Sequence, residues 1–250
     1  MFFASAFSNE SIDLLAEMDM PAYKLASSET VKLDLVKYAA SKKKPMLIST
    51  GMCDLADIFE AVQVAVSEGN TDLILMQCTS LYPTEAKDVH LRAMDTIRSA
   101  FGYPVGLSDH TLDIIVPVAA VARGACIIEK HMTLDRNLSG PDHSYALEPM
   151  EFKRMVDAIR MTEAALGMSE KTTLPDEGKY ARRDSLRAAR DIEAGETITP
   201  NMIVSERPGD GIRPRYISAV TGSRAKKSIV KGEAFNWDGI TGNSGTKSEG

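Results

Sequence analysis

The chain has 250 residues, of which 44% are hydrophobic and 26% charged, so it can build a normal core. Its length fits one large α/β domain, or a medium domain with a small appendage. A net charge of −6 and an isoelectric point near 5.3 argue against nucleic acid or an anionic membrane as the main partner. No apolar run is long enough to span a membrane, and the amino terminus lacks the basic segment of a signal peptide.

Six short apolar or β-rich runs follow one another along the chain. They are MFFASAF at 1–7, AYKLAS at 22–27, PMLIST at 45–50, DLILMQCT at 72–79, YPVGLSD at 103–109 and ACIIEKH at 125–131. Amphipathic stretches such as ESIDLLAEM, LADIFEAVQVAVSEG and IIVPVAAVARGA lie between the runs and predict helices. The alternation predicts βα units around a parallel sheet, and the near-continuous apolar runs predict strands buried on both faces.

The composition changes after Gly167. Residues 168–184 are polar and predict a linker between a first domain, 1–167, and a small domain at 185–241. The segment Asp191–Glu196 resembles Ser228–Glu233, and each places Ile three residues before a Gly-Glu turn. This internal echo predicts a small, mostly β domain of two similar halves, and the polar tail 242–250 is expected to be disordered.

The three cysteines are widely spaced, and two of them lie in apolar runs. Cys53, Cys78 and Cys126 are therefore interpreted as reduced core thiols of a cytosolic protein.

Polar side chains follow the predicted strands. The strand ends read Ser27-Ser28-Glu29, Ser49-Thr50-Gly51, Cys78-Thr79-Ser80, Ser108-Asp109-His110 and Lys130-His131. In a parallel α/β sheet or barrel the carboxyl ends of the strands open onto one face, where active sites are built. The sequence therefore predicts a site at which hydroxyls, acids and two histidines converge.

The two histidines, His110 and His131, stand one strand–helix–strand repeat apart. They are expected at matching ends of successive units, within reach of a common Mn, Zn or Fe ion. The alternative is that each imidazole only hydrogen-bonds a loop.

Lys24 lies inside an apolar strand, where an ammonium is costly unless it meets an anion or a carboxylate. It either binds a phosphate or carboxylate at the mouth of a barrel or extends along the sheet edge to water. Ser27, Ser49, Ser80 and Ser108 would add hydroxyls to an anion site, although a serine at a strand end is often only a helix N-cap.

Taken in order, the segments YKLASSE, LISTGM, QCTSLYP, VGLSDHT, IIEKHMTLD and GPDHSYALEP resemble the N-acetylneuraminate (sialic acid) synthase family. ARDIEAGETIT, SERPGDGI and KKSIVKGEAF resemble the antifreeze-like SAF domain of that family, which has a β-clip fold. The resemblance implies a TIM (β/α)8-type barrel that condenses phosphoenolpyruvate with an N-acetylated hexosamine, typically N-acetylmannosamine, and releases phosphate.

The resemblance also implies the site residues. His110 and His131 match the ligands of a divalent metal, Mn or Mg, and Glu29 matches an acid that orients or deprotonates water or the sugar hydroxyl. The positions that match phosphoenolpyruvate contacts are Lys24, Ser27, Ser49, Ser80 and Ser108. Tyr82 and Asp142 match sugar-contacting positions, and Arg207 resembles an arginine that reaches the partner's site in a domain-swapped homodimer.

Six strand runs fall short of the eight strands of a full barrel. The sequence therefore predicts a barrel that lacks about two amino-terminal βα units. The resemblance implies that these units would carry a further phosphate-binding lysine. Three functions stay open at this point. They are a synthase of sialic, legionaminic or pseudaminic acid, a non-catalytic homologue that binds a sugar or a partner subunit, and an unrelated metal-dependent aldolase. The SAF-like tail disfavours the third, and no Schiff base is expected at Lys24.

Overall fold

A computed structural model describes residues 2–180 and 183–242, with side chains throughout except at 178–180. The chain forms two compact units that divide after Met168, and each is described by itself. Most of the tail that is predicted to be disordered, 243–250, lies outside the described residues.

The first unit is built on a parallel sheet with the strand order β1-β2-β3-β4-β5. Its strands are β1 (Tyr23–Leu25), β2 (Met46–Ser49), β3 (Leu73–Cys78), β4 (Val105–Asp109) and β5 (Ile128–Lys130). The first four are buried almost throughout, as the continuous apolar runs predict. Neighbouring strands follow one another in sequence, so the sheet is a segment of a TIM-like barrel, and the predicted fold class is confirmed.

Helices connect and cover the strands. They are α1 (Asn9–Glu17), α2 (Ser27–Thr30), α3 (Leu33–Ser41), α4 (Leu55–Ser67), α5 (Ala93–Phe101), α6 (Ile115–Ala122) and α7 (Pro149–Leu166). Helix α4 shows how the sequence fixes its ends, because Asp54 caps its first turn and Gly69, at φ +75°, follows its last. Ile58, Val62 and Ala65 of α4 share the buried face, as their spacing predicts. No helix in the described ranges has the length and apolar composition needed to cross a membrane.

The first apolar run departs from its prediction. MFFASAF forms a single parallel bridge, between Ser5 and Lys24, instead of a strand. The other described residues of the run make no further ladder pairing within the described ranges. Ala6 alone is fully buried, and its amide donates to the Lys24 carbonyl at 3.0 Å. The run therefore lies beside the β1 edge without extending the sheet.

The sequence interpretation of the cysteines holds only in part. All three are free thiols, and Cys78 is buried. Cys126, which was expected in the core, is exposed, and Cys53 is half-buried. The reason is that β5 starts only at Ile128 and is half-buried at the edge of the sheet, which leaves the preceding residues uncovered.

The second unit contains an antiparallel pair, β6 (Ser185–Ala188) and β7 (Ile203–Glu206), and a short helix α8 (Ile217–Val220). Short 3₁₀ turns complete the connections in both units, at Ala86–Asp88, His143–Tyr145, Pro175–Tyr180, Pro200–Met202, Pro214–Tyr216 and Trp237–Gly239. The core of this unit is small and apolar, and the buried ring of Phe235 is its largest side chain.

The internal echo corresponds to a real pairing in the second unit. Ile192 and Ile229 form an antiparallel bridge and exchange backbone hydrogen bonds of 2.8 and 2.9 Å. The Gly195 and Gly232 turns have the same φ of +83°, which glycine adopts without strain. The two segments that resemble each other in sequence therefore adopt the same turn and pair across the small domain.

Candidate active site

A cavity of about 340 Å³ opens at the carboxyl ends of the strands of the first unit. It is lined by Ser5, Lys24, Ala26, Ser27, Ser49, Cys78, Tyr82, Ser108, His110, Glu129, Lys130 and His131. These side chains come from every strand of the parallel sheet, because its strands point the same way and end at the same edge. Of the predicted convergence, the hydroxyls and the two histidines are present in one cavity, whereas the predicted acids Glu29 and Asp109 do not line it.

The charged side chains of the cavity form a linked set. The Lys24 ammonium is buried, and it lies 3.4 Å from Glu129 Oε1 and 3.3 Å from the Leu25 carbonyl. Ser108 donates to the same Oε1 from the neighbouring strand at 2.7 Å. Both contacts use Oε1, which leaves Oε2 as an acceptor at the mouth of the cavity. Lys24 therefore meets a carboxylate, and does not extend to water along a sheet edge.

The serine hydroxyls gather around Gly51, directly after β2. The Gly51 amide donates to Ser27 Oγ at 2.9 Å. A Cβ placed on Gly51 would lie 2.3 Å from Ser80 Oγ and 2.8 Å from Ser27 Oγ, so a side chain there would displace both hydroxyls. Glycine is therefore required for the close approach of these hydroxyls.

Ser49, the last residue of β2, has the most telling hydroxyl. Only 2% of the residue is exposed, and its Oγ is buried without a hydrogen-bond partner among the described residues. A buried hydroxyl without a partner costs about 1–3 kcal/mol. Because Ser49 lines the cavity, a bound polar ligand would provide the missing partner.

Three aromatic rings, Tyr82, His110 and His131, line the cavity, and the buried ring of Tyr145 packs against them. The His110 and His131 ring centroids lie 5.3 Å apart. Tyr82 contacts His110 at 4.3 Å between centroids, and Tyr145 contacts His131 at 5.1 Å in an edge-on arrangement. The two predicted metal ligands are therefore neighbours, held between two tyrosines.

His110 is oriented by the backbone beneath it. Its Nδ1 lies 3.0 Å from the Thr79 carbonyl, which only accepts, so Nδ1 carries the hydrogen and Nε2 is left with a lone pair. Burial alone would lower the pKa of His110, but the Cys78 thiol, 4.0 Å from Nδ1, and the Thr79 carbonyl together raise it. The same contact lowers the pKa of Cys78 against the opposing effect of burial.

His131 is oriented by an acid from the loop that follows β5. Its Nδ1 lies 3.7 Å from Asp142 Oδ2, while Asp142 Oδ1 accepts a 2.6 Å hydrogen bond from the Tyr145 hydroxyl. Burial lowers the pKa of His131, and the neighbouring His110 lowers it further. The lowered pKa favours the neutral form of His131, in which one ring nitrogen offers a lone pair.

These contacts are those expected around a metal-binding imidazole, because a carbonyl or a carboxylate at the second ring nitrogen fixes the tautomer. The residues present therefore fit a divalent ion held by His110 and His131. No group of three or more histidine, cysteine or acidic side chains within 2–180 and 183–242 is arranged to hold an ion. An ion at the two histidines would accordingly take its other ligands from water or substrate oxygen.

Of the predicted site residues, Glu29, Ser80 and Asp142 are not among the side chains that line this cavity, and Arg207 belongs to the second unit, which is described by itself. Glu29 is buried outside the cavity, where it accepts a 2.7 Å hydrogen bond from Ser28 and pairs with Lys32 at 3.3 Å. The Arg207 side chain is exposed and lies 3.8 Å from Asp184. The catalytic role of Glu29 and the sugar contact of Arg207 stay predictions.

Sequence reasoning did not single out three residues that shape the site. Lys130 was noted only as part of the polar end of the sixth run and Glu129 was given no role, yet both line the cavity. Gly51 was read as the end of a strand. The signals in the sequence were that Glu129 stands two residues before the candidate ligand His131 and that Gly51 follows a strand. Both patterns are also common in ordinary turns, so neither one indicates a site.

Comparison with known families matches residues 1–171 to the NeuB family and residues 183–241 to the SAF domain. The N,N'-diacetyllegionaminic acid synthase of Legionella pneumophila is 41% identical over 96% of this chain and 69% of its own length. A pseudaminic acid synthase of Campylobacter jejuni is 38% identical over 93% of this chain and 68% of its own. The crystal structure of a Leptospira borgpetersenii N-acetylneuraminic acid synthetase in complex with citrate matches with a TM-score of 0.68 and 32% identity, over 72% of this chain and 63% of that one.

These relatives are synthases of nine-carbon acidic sugars, the nonulosonic acids, and their similarity supports an enzyme of the same kind. The barrel segment, the histidine pair at its carboxyl edge and the small β domain agree with the family match over both units. The chain belongs to the NeuB family and carries a SAF domain.

Proposed function

We propose that this chain condenses phosphoenolpyruvate with an N-acetylated hexosamine to give a nonulosonic acid and phosphate. N-acetylmannosamine, which would give N-acetylneuraminate, is the proposed acceptor, and the acceptors of legionaminic and pseudaminic acid synthesis are the alternatives. In this reaction the enol carbon attacks the aldehyde carbon of the open-chain sugar. Water then adds at C2, and cleavage of the C–O bond releases phosphate.

The observation that carries the proposal is the unpartnered Ser49 hydroxyl beside the Lys24 ammonium in one cavity. A buried cation and a group of hydroxyls match the charge and the acceptor oxygens of phosphoenolpyruvate. Lys24 supplies the charge, and Ser27 and Ser49 supply hydroxyls from neighbouring strand ends, whereas Ser108 lines the same cavity with its hydroxyl hydrogen donated to Glu129. Ser80 joins them through its approach to Gly51.

On the other side of the cavity, His110 and His131 would hold a divalent ion, Mn or Mg, through their Nε2 atoms. A bound ion supplies Lewis-acid polarisation of the sugar aldehyde. Tyr82 would give the sugar an apolar wall, with Tyr145 packed against Tyr82 and His131, and Asp142 lies 3.7 Å from His131 Nδ1.

Glu129 lies between the two subsites and is the carboxylate best placed to act on substrate. Ser108 and Lys24 fix its Oε1, so Oε2 would orient the water that adds at C2 and accept its proton.

A second candidate function is a non-catalytic homologue that binds the sugar or a partner subunit. The position of Glu29 favours it, since this predicted acid is tied to Ser28 and Lys32 outside the cavity. If Glu29 is the required acid, a site without it would bind substrate and not turn it over.

The decisive experiment measures phosphate released from phosphoenolpyruvate with N-acetylmannosamine and Mn²⁺, comparing the unmodified chain with a Glu129→Gln chain. Release that requires the sugar and falls by about 100-fold or more in Glu129→Gln supports the proposal, a range typical of a lost general base. A Glu85→Gln chain, changed at an exposed acid outside the cavity, is the control and should match the unmodified chain. Binding of phosphoenolpyruvate without release in any chain would favour the second function.

A further inference from the structure

Directly beneath the two histidines lies a buried ion pair that the proposed reaction does not use. Asp109 and Lys130 end β4 and β5 and are direct register partners. Lys130 Nζ lies 2.6 Å from Asp109 Oδ2, and each side chain is only 1% exposed. The next residues along the two strands are His110 and His131, so the pair joins the strands one step before each proposed ligand.

Lys130 borders the cavity, but its ammonium is paired with Asp109, and the alternation of side chains along each strand distinguishes the pair from Ser108 and Glu129. Ser108 and Glu129 are also register partners, and their side chains meet inside the cavity. Because successive side chains alternate, Ser108 and His110 share one face, and Glu129 and His131 do likewise. The ion pair occupies the position between them in both strands, which suits support of the histidines.

The pair also holds the backbone on both sides of His110. Asp109 accepts hydrogen bonds from the Thr111 amide at 3.1 Å and the Thr111 hydroxyl at 3.0 Å. Lys130 donates to the Thr111 carbonyl. Asp109 precedes His110 and Thr111 follows it, so a residue of the His131 strand fixes the peptide that carries His110.

A buried ion pair is a poor source of stability, because both charges lose their hydration and an apolar pair of similar size often serves the fold as well. Its best-supported use is to fix register. We propose that the Asp109–Lys130 pair is a positioning device that sets the distance and angle between the His110 and His131 rings. This inference rests on the proposed metal site and adds a residue pair that acts through the two ligands.

The test replaces the pair with apolar residues in an Asp109→Leu/Lys130→Met double variant of the full chain. The double variant is expected to fold and to melt at or above the temperature of the unmodified chain. It should bind Mn²⁺ roughly 10–100-fold more weakly, the loss seen when residues that hold metal ligands in place are removed. Binding is measured by titration with Mn²⁺ and electron paramagnetic resonance. An Asp13→Leu/Lys42→Met variant removes a 2.6 Å ion pair elsewhere in the unit and should bind Mn²⁺ as the unmodified chain does.

A second measurement needs no metal. Imidazole ¹⁵N shifts report the hydrogen on His110 Nδ1, which should lose its fixed Thr79 contact in the double variant and keep it in the control. Unchanged shifts and unchanged Mn²⁺ affinity would overturn the inference, and so would failure of the double variant to fold, since the pair would then serve the fold. If the unmodified chain binds no Mn²⁺ at its histidines, the proposed metal site fails, and the ¹⁵N shifts alone decide on the pair.

Discussion

Removing the Ser49 hydroxyl should strengthen the fold and weaken substrate binding at the same time. The Oγ atom is buried and without a partner among the described residues, so a Ser49→Ala chain loses an uncompensated polar group. A group of this kind costs about 1–3 kcal/mol, and the free energy of unfolding should rise by about 1 kcal/mol. For a unit of this size that corresponds to a melting temperature roughly 2–4 °C higher.

The same hydroxyl is proposed to donate to phosphoenolpyruvate. A hydrogen bond to a charged group contributes about 1.5–3 kcal/mol, so Kd for phosphoenolpyruvate should increase by about 10–100-fold. Calorimetric melting without ligand and titration with phosphoenolpyruvate measure the two effects on one preparation. Ser67→Ala is the matched control, because the Ser67 hydroxyl is exposed and bonds only its own helix.

The two effects are expected together because they share one cause. A Ser49→Ala chain that melts at a lower temperature would mean that the hydroxyl has a partner in the free protein. An unchanged Kd would mean that the ligand does not reach it. Either result would refute the assignment of Ser49 to the anion subsite.

Three further changes have definite expected outcomes. Gly51→Ala should raise KM for phosphoenolpyruvate at least tenfold in steady-state kinetics, because its Cβ would displace the Ser27 and Ser80 hydroxyls. The control Gly239→Ala should match the unmodified chain, because its Cβ would meet only a lysine carbon at 3.9 Å. Equal KM values in the two variants would contradict the close approach of the hydroxyls to Gly51. Gly195→Ala and Gly232→Ala should each lower the free energy of unfolding of the small domain by about 1–2 kcal/mol in urea titration, because each residue has a φ of +83°. The added Cβ meets no atom within 4 Å, so no steric clash adds to this loss. Clearly unequal losses would contradict the equivalence of the two turns. An Arg207→Ala chain mixed with a His110→Ala/His131→Ala chain should regain phosphate release, since one site of a domain-swapped dimer would be intact; no recovery would count against the swap.

Much of the barrel segment follows from the sequence because buried parallel strands need continuous apolar runs. Five of the six runs became strands, and the shift of periodicity from strand to helix placed the helices between them. The first run failed as a strand because a single bridge to Lys24 is all the pairing that it makes in the described residues. The apolar composition of a run does not reveal whether a neighbouring strand is available to pair with it.

The sequence predicts where the site lies better than it predicts which side chains contact one another there. One strand–helix–strand repeat separates His110 from His131, and that spacing predicts neighbouring rings, which lie 5.3 Å apart. Sequence spacing does not predict which way the side chain of an acidic residue points. Glu129 turns into the cavity toward Lys24, while Glu29 turns away to Lys32, and both follow short apolar segments. Only the packing of the strand ends distinguishes the two acids.

His110 and His131 are proposed to hold one divalent ion beside the anion subsite. Crystals of the full chain soaked with Mn²⁺ and phosphoenolpyruvate, and measured at the manganese absorption edge, would show whether they do. One anomalous peak is expected about 2 Å from both Nε2 atoms, near the metal–imidazole distances known in proteins, with phosphoenolpyruvate next to Lys24 and Ser49. A peak bound to neither ring, or phosphoenolpyruvate bound away from Lys24, would contradict the proposal.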